Sequence, residues 1–590
     1  MRPVLYPLVS PLLSASARFR AASLLLAVAL LCPALANAGQ DAYILSGVVV
    51  SEHGGAPVAK CHLTATRSGA TSPQQRFQRQ RSKESDSSPS ADSDAGGHFT
   101  LTVPSSGNWQ LYAAARGFRR QAYDRHEGFF SAIVLTPEAP TYTLIFKLEP
   151  DSSITGFVRD EAGEAVRNAR VNLSAAEAPG PDLVQGPGSI RASTTTDDRG
   201  HYEFAGLAPG DYNVGVQAQP WYATSLFGRR FSNVTGPPPD PSLDVIYPET
   251  WFPGVMDQRS AEVLSLHHGE SRQADFGLTP APSTHLRINV PSQPLSQPGT
   301  RPQIIPQQVT PQVERVSSSG SLFFNTSIQV DSQGQMEVDG LSPGLYRVTM
   351  QGTNGPQTPA FIRVPGGSQH TLDLSAAIPV ATINFRFDPE TDASRMQIVL
   401  TDIDTGERFT SFPQGDLQRR RNAGVAGGAL AAGERKLELP PARYRVTLTG
   451  DNETYLSGIS TNNTPLEGRV VSVASGTTTL TLKLTRGRAS LRGVVSLADK
   501  PLAGAMVMLV PASFGQPESI TMLRRDQTNT DGGFEIDQVI PGNYILLAID
   551  DGWTVNWRDL STLRRYLVHG VPVALQPNAN LKLDLEALSP

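Results

Sequence analysis

The sequence predicts an all-β chain, a tandem array of about five small antiparallel β-sandwich domains after an export signal. Three observations predict it. First, Gly97, Gly200, Gly334 and Gly532 are each followed twelve positions later by an aromatic: Trp109, Tyr212, Tyr346 and Tyr544. A looser copy ends at Tyr444. Second, these aromatics fall 103, 134, 98 and 100 residues apart, and a fixed internal distance inside a period of one small domain marks tandem units. Third, 52 Gly and 47 Pro among 590 residues supply turns in a chain with few helical periods. That length also exceeds a single core, which rarely passes about 250–300 residues.

The N-terminus reads as a cleavable signal peptide over residues 1–38. Arg2, Arg18 and Arg20 supply positive charge. The apolar run 21–31 is shorter than the roughly 20 residues a bilayer span takes. Ala36-Asn37-Ala38 places small residues where a signal peptidase reads, which predicts a mature start at Gly39. Cys32 raises a lipoprotein alternative, against which Leu31 stands where a small residue is expected. No other segment reads as transmembrane. Loss of the leader removes three Arg and no acid, so the formal net charge moves from −5 to about −8. Without a basic block, this argues against a nucleic-acid partner. Cys61 is then the only cysteine of the mature chain, and no internal disulfide is possible.

Each unit opens with a strand: residues 45–49, 154–158 and 491–495 are the clearest copies. A second strand follows over 58–65, 166–173 and 502–509. There Ala169, Val171 and Leu173 face one way and Arg170 and Asn172 the other, the period of a half-buried strand. Cys61 stands level with Ala169 and Ala505, as a small core residue. A third strand follows the Gly-turn (99–103, 202–204, 336–338, 534–536) and a fourth the Pro-Gly turn (212–216, 346–350, 444–448, 544–549). Pro presets φ and Gly permits positive φ, so the chain reverses tightly, and the aromatic after the turn plugs the core. Hairpin-like strand–turn–strand segments close the units, as at 470–484, 361–374 and 571–585. Residues 67–96, 291–319 and 414–433 lack an apolar period and read as mobile loops. One short helix is expected from Asp559 to Leu567. The resulting units are 39–150, 151–282, 283–378, 379–486 (divergent) and 487–590.

The second unit carries a motif series: Gly156-Phe157-Val158, then residues 165–173, then Thr196-Asp197-Asp198-Arg199-Gly200-His201-Tyr202, then Gly206-Leu207-Ala208-Pro209-Gly210-Asp211-Tyr212. It resembles the carboxypeptidase regulatory-like domain, a transthyretin-like or prealbumin-like β-sandwich of bacterial proteins. The last unit matches nearly as well, with Asn529 in place of the turn Asp. The first departs with Ser106-Gly107-Asn108-Trp109 and the fourth with Pro441-Ala442-Arg443-Tyr444. The resemblance covers most of residues 43–588. It implies a sandwich fold related to starch-binding-like domains, among which carbohydrate binding is the usual activity. Such domains also accompany zinc carboxypeptidases and outer-membrane receptors, and neither companion is visible here. A fold does not by itself fix a function.

Two catalytic patterns occur. His267-His268-Gly269-Glu270, with His370 beyond, has a zinc-site spacing, but zinc needs three convergent ligands and these sit in turns of different units. Gly340-Leu341-Ser342-Pro343-Gly344 matches a nucleophile elbow. Yet Pro343 lacks the N–H that the oxyanion hole needs, and Ala208 takes the serine's place in the second unit. Asp92 and Asp94, Asp197 and Asp198, and Asn529 and Asp531 offer too few oxygens for calcium and read as turns capping their own backbone. The sequence therefore predicts a non-enzyme with no cofactor and no metal.

Exposed aromatics are the better lead. Trp221, Tyr222, Trp251, Trp553 and Trp557 either form platforms for sugars, whose C–H faces suit flat rings, or cover seams between units. The sequence thus supports an exported carbohydrate-binding or adhesion protein of the periplasm, cell envelope or extracellular space. Its partner would be a glycan or an envelope protein. The alternative is a structural spacer or protein-interaction scaffold, and a zinc-dependent hydrolase is the third reading.

Overall fold

The computed structural model describes residues 42–68, 88–176, 190–223, 240–289, 310–317, 320–323, 328–330, 335–352, 355–356, 358–366, 371–388, 396–411, 435–449, 453–462, 464–515, 522–557 and 559–589. The signal peptide, His370, Gly334 and the 414–433 insert lie outside them. The fold is all-β, a tandem series of two-sheet sandwiches. Each sandwich opens with a strand in the middle of one sheet: Tyr43–Ser51, Ser152–Arg159, Thr284–Asn289, Ala381–Asp388 and Ala489–Leu497. The strand after the Gly-turn lies antiparallel on one side of it. The closing strand lies parallel on the other. The second and fourth strands pair in the facing sheet, with Val171 opposite Val216 and Val507 opposite Ala548.

The closing segments are therefore not hairpins. Val470–Val473 joins the sheet of Ala442–Thr449, whereas Gly476–Arg486 runs parallel to Ala381–Asp388 in the other sheet. The chain crosses between sheets at the turn, because a strand parallel to the opening one needs a crossover rather than a two-residue reversal. The glycine of the opening strand makes room for the closing strand that runs beside it. A Cβ on Gly47, Gly156 or Gly493 would lie 1.9, 2.0 or 1.7 Å from the carbonyl oxygen of Leu144, Ala274 or Leu583.

The aromatic anchors share one bond. Trp109 Nε1 donates to Ser105 O at 3.0 Å, and the hydroxyls of Tyr212, Tyr444 and Tyr544 donate to the carbonyls of Ala208, Pro440 and Ile540 at 2.8, 2.6 and 2.5 Å. Tyr346 instead accepts from Ser342 N at 3.1 Å. In every case the partner lies four residues earlier, so the ring enters the core while its polar tip ties down the turn. A buried hydroxyl repeats as well. Ser93, Thr196 and Thr528 donate to Val58 O, Val166 O and Leu502 O, each at 2.7 Å. They accept from the amides of Cys61, Ala169 and Ala505, each at 2.9 Å. Cys61 thus occupies the same small core position as the two alanines, fully buried, and burial pushes its thiol up to about 11.

Two inserts are shorter than the sequence suggests. Thr310–Ser317 is a strand paired with Gly344–Gly352. Its alternation is hidden because Arg315 points inward beside Val313 and is buried in an ion pair with Glu249 at 2.6 Å. Ser90–Asp92 pairs with His62–Arg67; a three-residue strand with Ala91 alone on the apolar side is too short to show a period. The expected helix is present as Leu560–Leu567, capped by Asp559, whose carboxylate accepts from Ser561 N and Thr562 N. Neighbouring sandwiches also share apolar surface: Val316, Leu345 and Phe361 pack into the core that holds Phe409 and Tyr444.

Candidate functional site

The five candidate aromatics lie in three environments. Trp221 is 83 % exposed, and Tyr222 packs edge-on against it at 5.7 Å. The Tyr222 hydroxyl donates to Glu161 Oε1, and Tyr247 OH donates to Glu161 Oε2 at 2.7 Å. Burial and the adjacent Glu161 push the Tyr222 phenol up to about 12. Desolvation works against ionisation of Glu161, yet the two hydroxyl bonds hold it below the usual carboxylate range. Trp251 is 7 % exposed. It forms a short strand with Thr250, and its ring lies over Gly215, where a Cβ would meet it at 2.8 Å.

Trp553 and Trp557 lie at a seam between the first and last sandwiches. Trp553 stacks on His126 at 5.4 Å and packs against Phe129 at 5.3 Å. Trp557 is 3 % exposed, with the Arg525 guanidinium 4.3 Å over its ring. Arg525 also donates to Glu127 at 2.7 Å. Gln527 Nε2 donates to Asp124 O at 2.5 Å and to Ser131 Oγ at 3.0 Å. Ser131 Oγ donates to Thr528 O at 2.7 Å, Ala132 N to Asn529 Oδ1 at 3.0 Å, and Thr530 N to Ala132 O at 3.0 Å. Polar bonds, a cation over aromatic faces and stacked rings together make a specific junction. Sequence reasoning named its two tryptophans but not Asp124, His126, Glu127, Ser131, Arg525 or Gln527. The available signal was Asn529, the residue that breaks the turn motif.

The catalytic candidates serve as turn ties. Glu270 Oε2 accepts from both His267 N and His267 Nδ1 at 2.9 Å, and Arg272 Nε lies 2.8 Å from Oε1. The amide and imidazole of His267 hold Glu270 below the usual carboxylate range. Ser342 is buried with its Oγ 3.1 Å from Tyr346 OH. Asp94 and Asp197 each spend one carboxylate oxygen on two backbone amides two and four residues on. Among the described residues, two three-donor histidine–carboxylate groups form: His268 of the same pattern meets Glu52 and Glu149 rather than Glu270, and His285 meets Glu337 and Asp339.

The family model of the carboxypeptidase regulatory-like domain matches residues 153–229. The chain is thus a tandem β-sandwich protein carrying a carboxypeptidase regulatory-like domain in its second sandwich. No curated protein matches it. Similar solved structures include the Bacillus anthracis TIE protein, 11 % identical over 93 % of this chain and 75 % of that one, with a TM-score of 0.16. They also include GBS52, the minor pilin of Streptococcus agalactiae, 10 % identical over 43 % of this chain and all of that one (TM-score 0.21). The shaft pilin SpaA of Lactobacillus rhamnosus GG is 12 % identical over 41 % and 98 % (TM-score 0.19). Scores this low say nothing of activity or partner. No helix among the described residues is long and apolar enough to cross a membrane.

Proposed function

We propose that this chain is a non-enzymatic scaffold of the cell envelope, exported through residues 1–38, whose five units (39–150, 151–282, 283–378, 379–486 and 487–590) dock on one another and offer their loop ends to an envelope protein. The observation that carries this reading is the junction of Asp124, Ser131 and Ala132 with Gln527–Thr530. It joins segments about 400 residues apart. A plain spacer has no use for such a junction, whereas a platform with fixed loop positions needs one.

A second reading, carbohydrate contact, is favoured by Trp221, whose exposed ring stands beside Tyr222 and the Glu161 carboxylate. An aromatic face flanked by a fixed hydrogen-bond acceptor suits a sugar ring. Trp251, Trp553 and Trp557 drop out of the ligand set on this reading and act as packing residues. The test passes the purified mature chain and its Trp221→Ala variant over immobilised envelope polysaccharides and over immobilised envelope proteins. Capture by protein, unchanged in the variant, supports the scaffold. Polysaccharide retention lost in the variant supports the sugar reading. Turnover of peptide or ester substrates by the purified chain would overturn both.

A further inference from the structure

We propose that His285, Glu337 and Asp339 form a binding site for a divalent transition cation, zinc by its donor set, with Asp244 as the group that orients the histidine. His285 stands on the opening strand Thr284–Asn289, and Glu337 and Asp339 stand two apart on the neighbouring strand Gln335–Leu341. The spacing of two puts both carboxylates on one face of the sheet. His285 Nδ1 lies 2.7 Å from Glu337 Oε1 and 2.9 Å from Asp339 Oδ1. One imidazole nitrogen and two carboxylate oxygens make a three-ligand set that leaves a position open.

An independent feature points the same way. His285 Nε2 is 2.5 Å from Asp244 Oδ2, on the segment just before Val245–Ile246 in the second sandwich. A metal-bound histidine characteristically gives its other ring N–H to a carboxylate, which fixes the tautomer and raises the basicity of the ligating nitrogen. Here that arrangement leaves Nδ1 facing the two remaining carboxylates. Three carboxylates converge on one imidazole, with Arg287 3.4 Å from Glu337 Oε2. His285 and Asp244 are each 14 % exposed and Asp339 5 %. So much negative charge with little solvent favours a dication over a single proton at Nδ1. The donors need to open by only about 0.5–0.7 Å, since a tetrahedral zinc with bonds near 2.1 Å holds its ligands roughly 3.4 Å apart. Because Asp244 belongs to the second sandwich and the ligands to the third, the ion would also stiffen their junction.

The test is calorimetric titration of zinc chloride into the chelator-treated full chain. A His268→Asn background removes the other three-donor group. The expected result is one saturable equivalent and a higher melting temperature with zinc. Asp339→Asn and Glu337→Gln should each abolish the equivalent, and Asp244→Asn should weaken it about 10- to 100-fold while leaving it saturable. Circular dichroism of each variant without metal checks the fold, and the partly exposed Glu337 provides a variant that spares the core if Asp339→Asn fails to fold. No saturable binding, or binding that Glu337→Gln leaves unchanged, overturns the site. His285 is then the imidazolium of a closed ion-pair cluster with Asp244, Glu337 and Asp339.

Discussion

The Thr-Asx-x-x-Gly turn occurs at 196–200 and again at 528–532, and the two copies are put to different use. In the second sandwich Asp197 bonds the amides of Arg199 and His201 at 2.9 and 2.8 Å, so the turn closes on itself. In the fifth, Asn529 gives its side-chain oxygen to Ala132 of the first sandwich, and Gln527, Thr528 and Thr530 bond the same segment. The hydroxyl clamp beneath is identical in both, Thr196 matching Thr528 bond for bond. The shared residues build the sandwich, and the departures build its contacts.

The comparison breaks most visibly if the shared residues prove dispensable. Gly156→Ala and Gly493→Ala each drive a methyl group into a backbone carbonyl that cannot retreat without losing the closing strand. Each is expected to cost above about 3 kcal/mol and to unfold its own sandwich. Thermal melting with hydrogen exchange resolved by segment checks this, and two well-folded alanine variants would sink the account of the opening strand. The next largest effect separates the two tryptophan environments. Trp553→Ala removes the ring that stacks on His126 and Phe129 and should cost about 3 kcal/mol. Trp221→Ala should change stability by less than about 0.5 kcal/mol. Urea unfolding of both variants measures the difference, and equal losses would mean that the seam contributes nothing.

Much of the fold was legible because its signals are local. The Gly-turns, the Pro-Gly turns and the alternation of Ala169, Val171 and Leu173 are written within a few residues of one another. The crossover at Gly476 was not legible, since a turn looks alike whether the next strand pairs with its neighbour or with one 95 residues back. The strand Thr310–Ser317 was hidden by Arg315, whose inward charge is stabilised by Glu249 from another unit. The candidate aromatics were legible as residues and not as environments. Trp221 and Trp553 follow comparable strands, and only the approach of Phe129 and His126 from more than 420 positions away distinguishes them. His285, Glu337 and Asp339 fit no motif spacing because two neighbouring strands bring them together.

A smaller effect tests the clamp common to both copies. Thr196→Val and Thr528→Val keep shape and remove one donor and one acceptor, leaving the amide of Ala169 or Ala505 and a carbonyl without the hydroxyl. Each should cost about 2 kcal/mol. Near-equal losses by calorimetry support a common scaffold, and a much larger loss at Thr528 would mean that the clamp also holds the seam.

The smallest effect is one of pH and concerns the second position of the turn, Asp197 in one copy and Asn529 in the other. The amides of His201 and Arg199 stabilise the charged form of Asp197, so its folded pKa lies below the ordinary 3.8. A depressed carboxyl contributes stability that is present above the unfolded pKa and lost as pH falls through the folded one. Asp94 in the first sandwich behaves alike, through the amides of His98 and Gly96. Asn529 has no proton to gain. Acidification from neutrality to below about pH 4 should therefore release the amides of His201 and His98 to exchange, while the Ala132 amide, bonded to the neutral Asn529, keeps its protection. Asn529→Asp makes the seam bond titratable and should transfer the acid sensitivity to Ala132. Protection at Ala132 that falls together with His201 in the wild-type chain would show that the two turns are one cooperative unit, and the distinction between the closed and the reaching copy would fail.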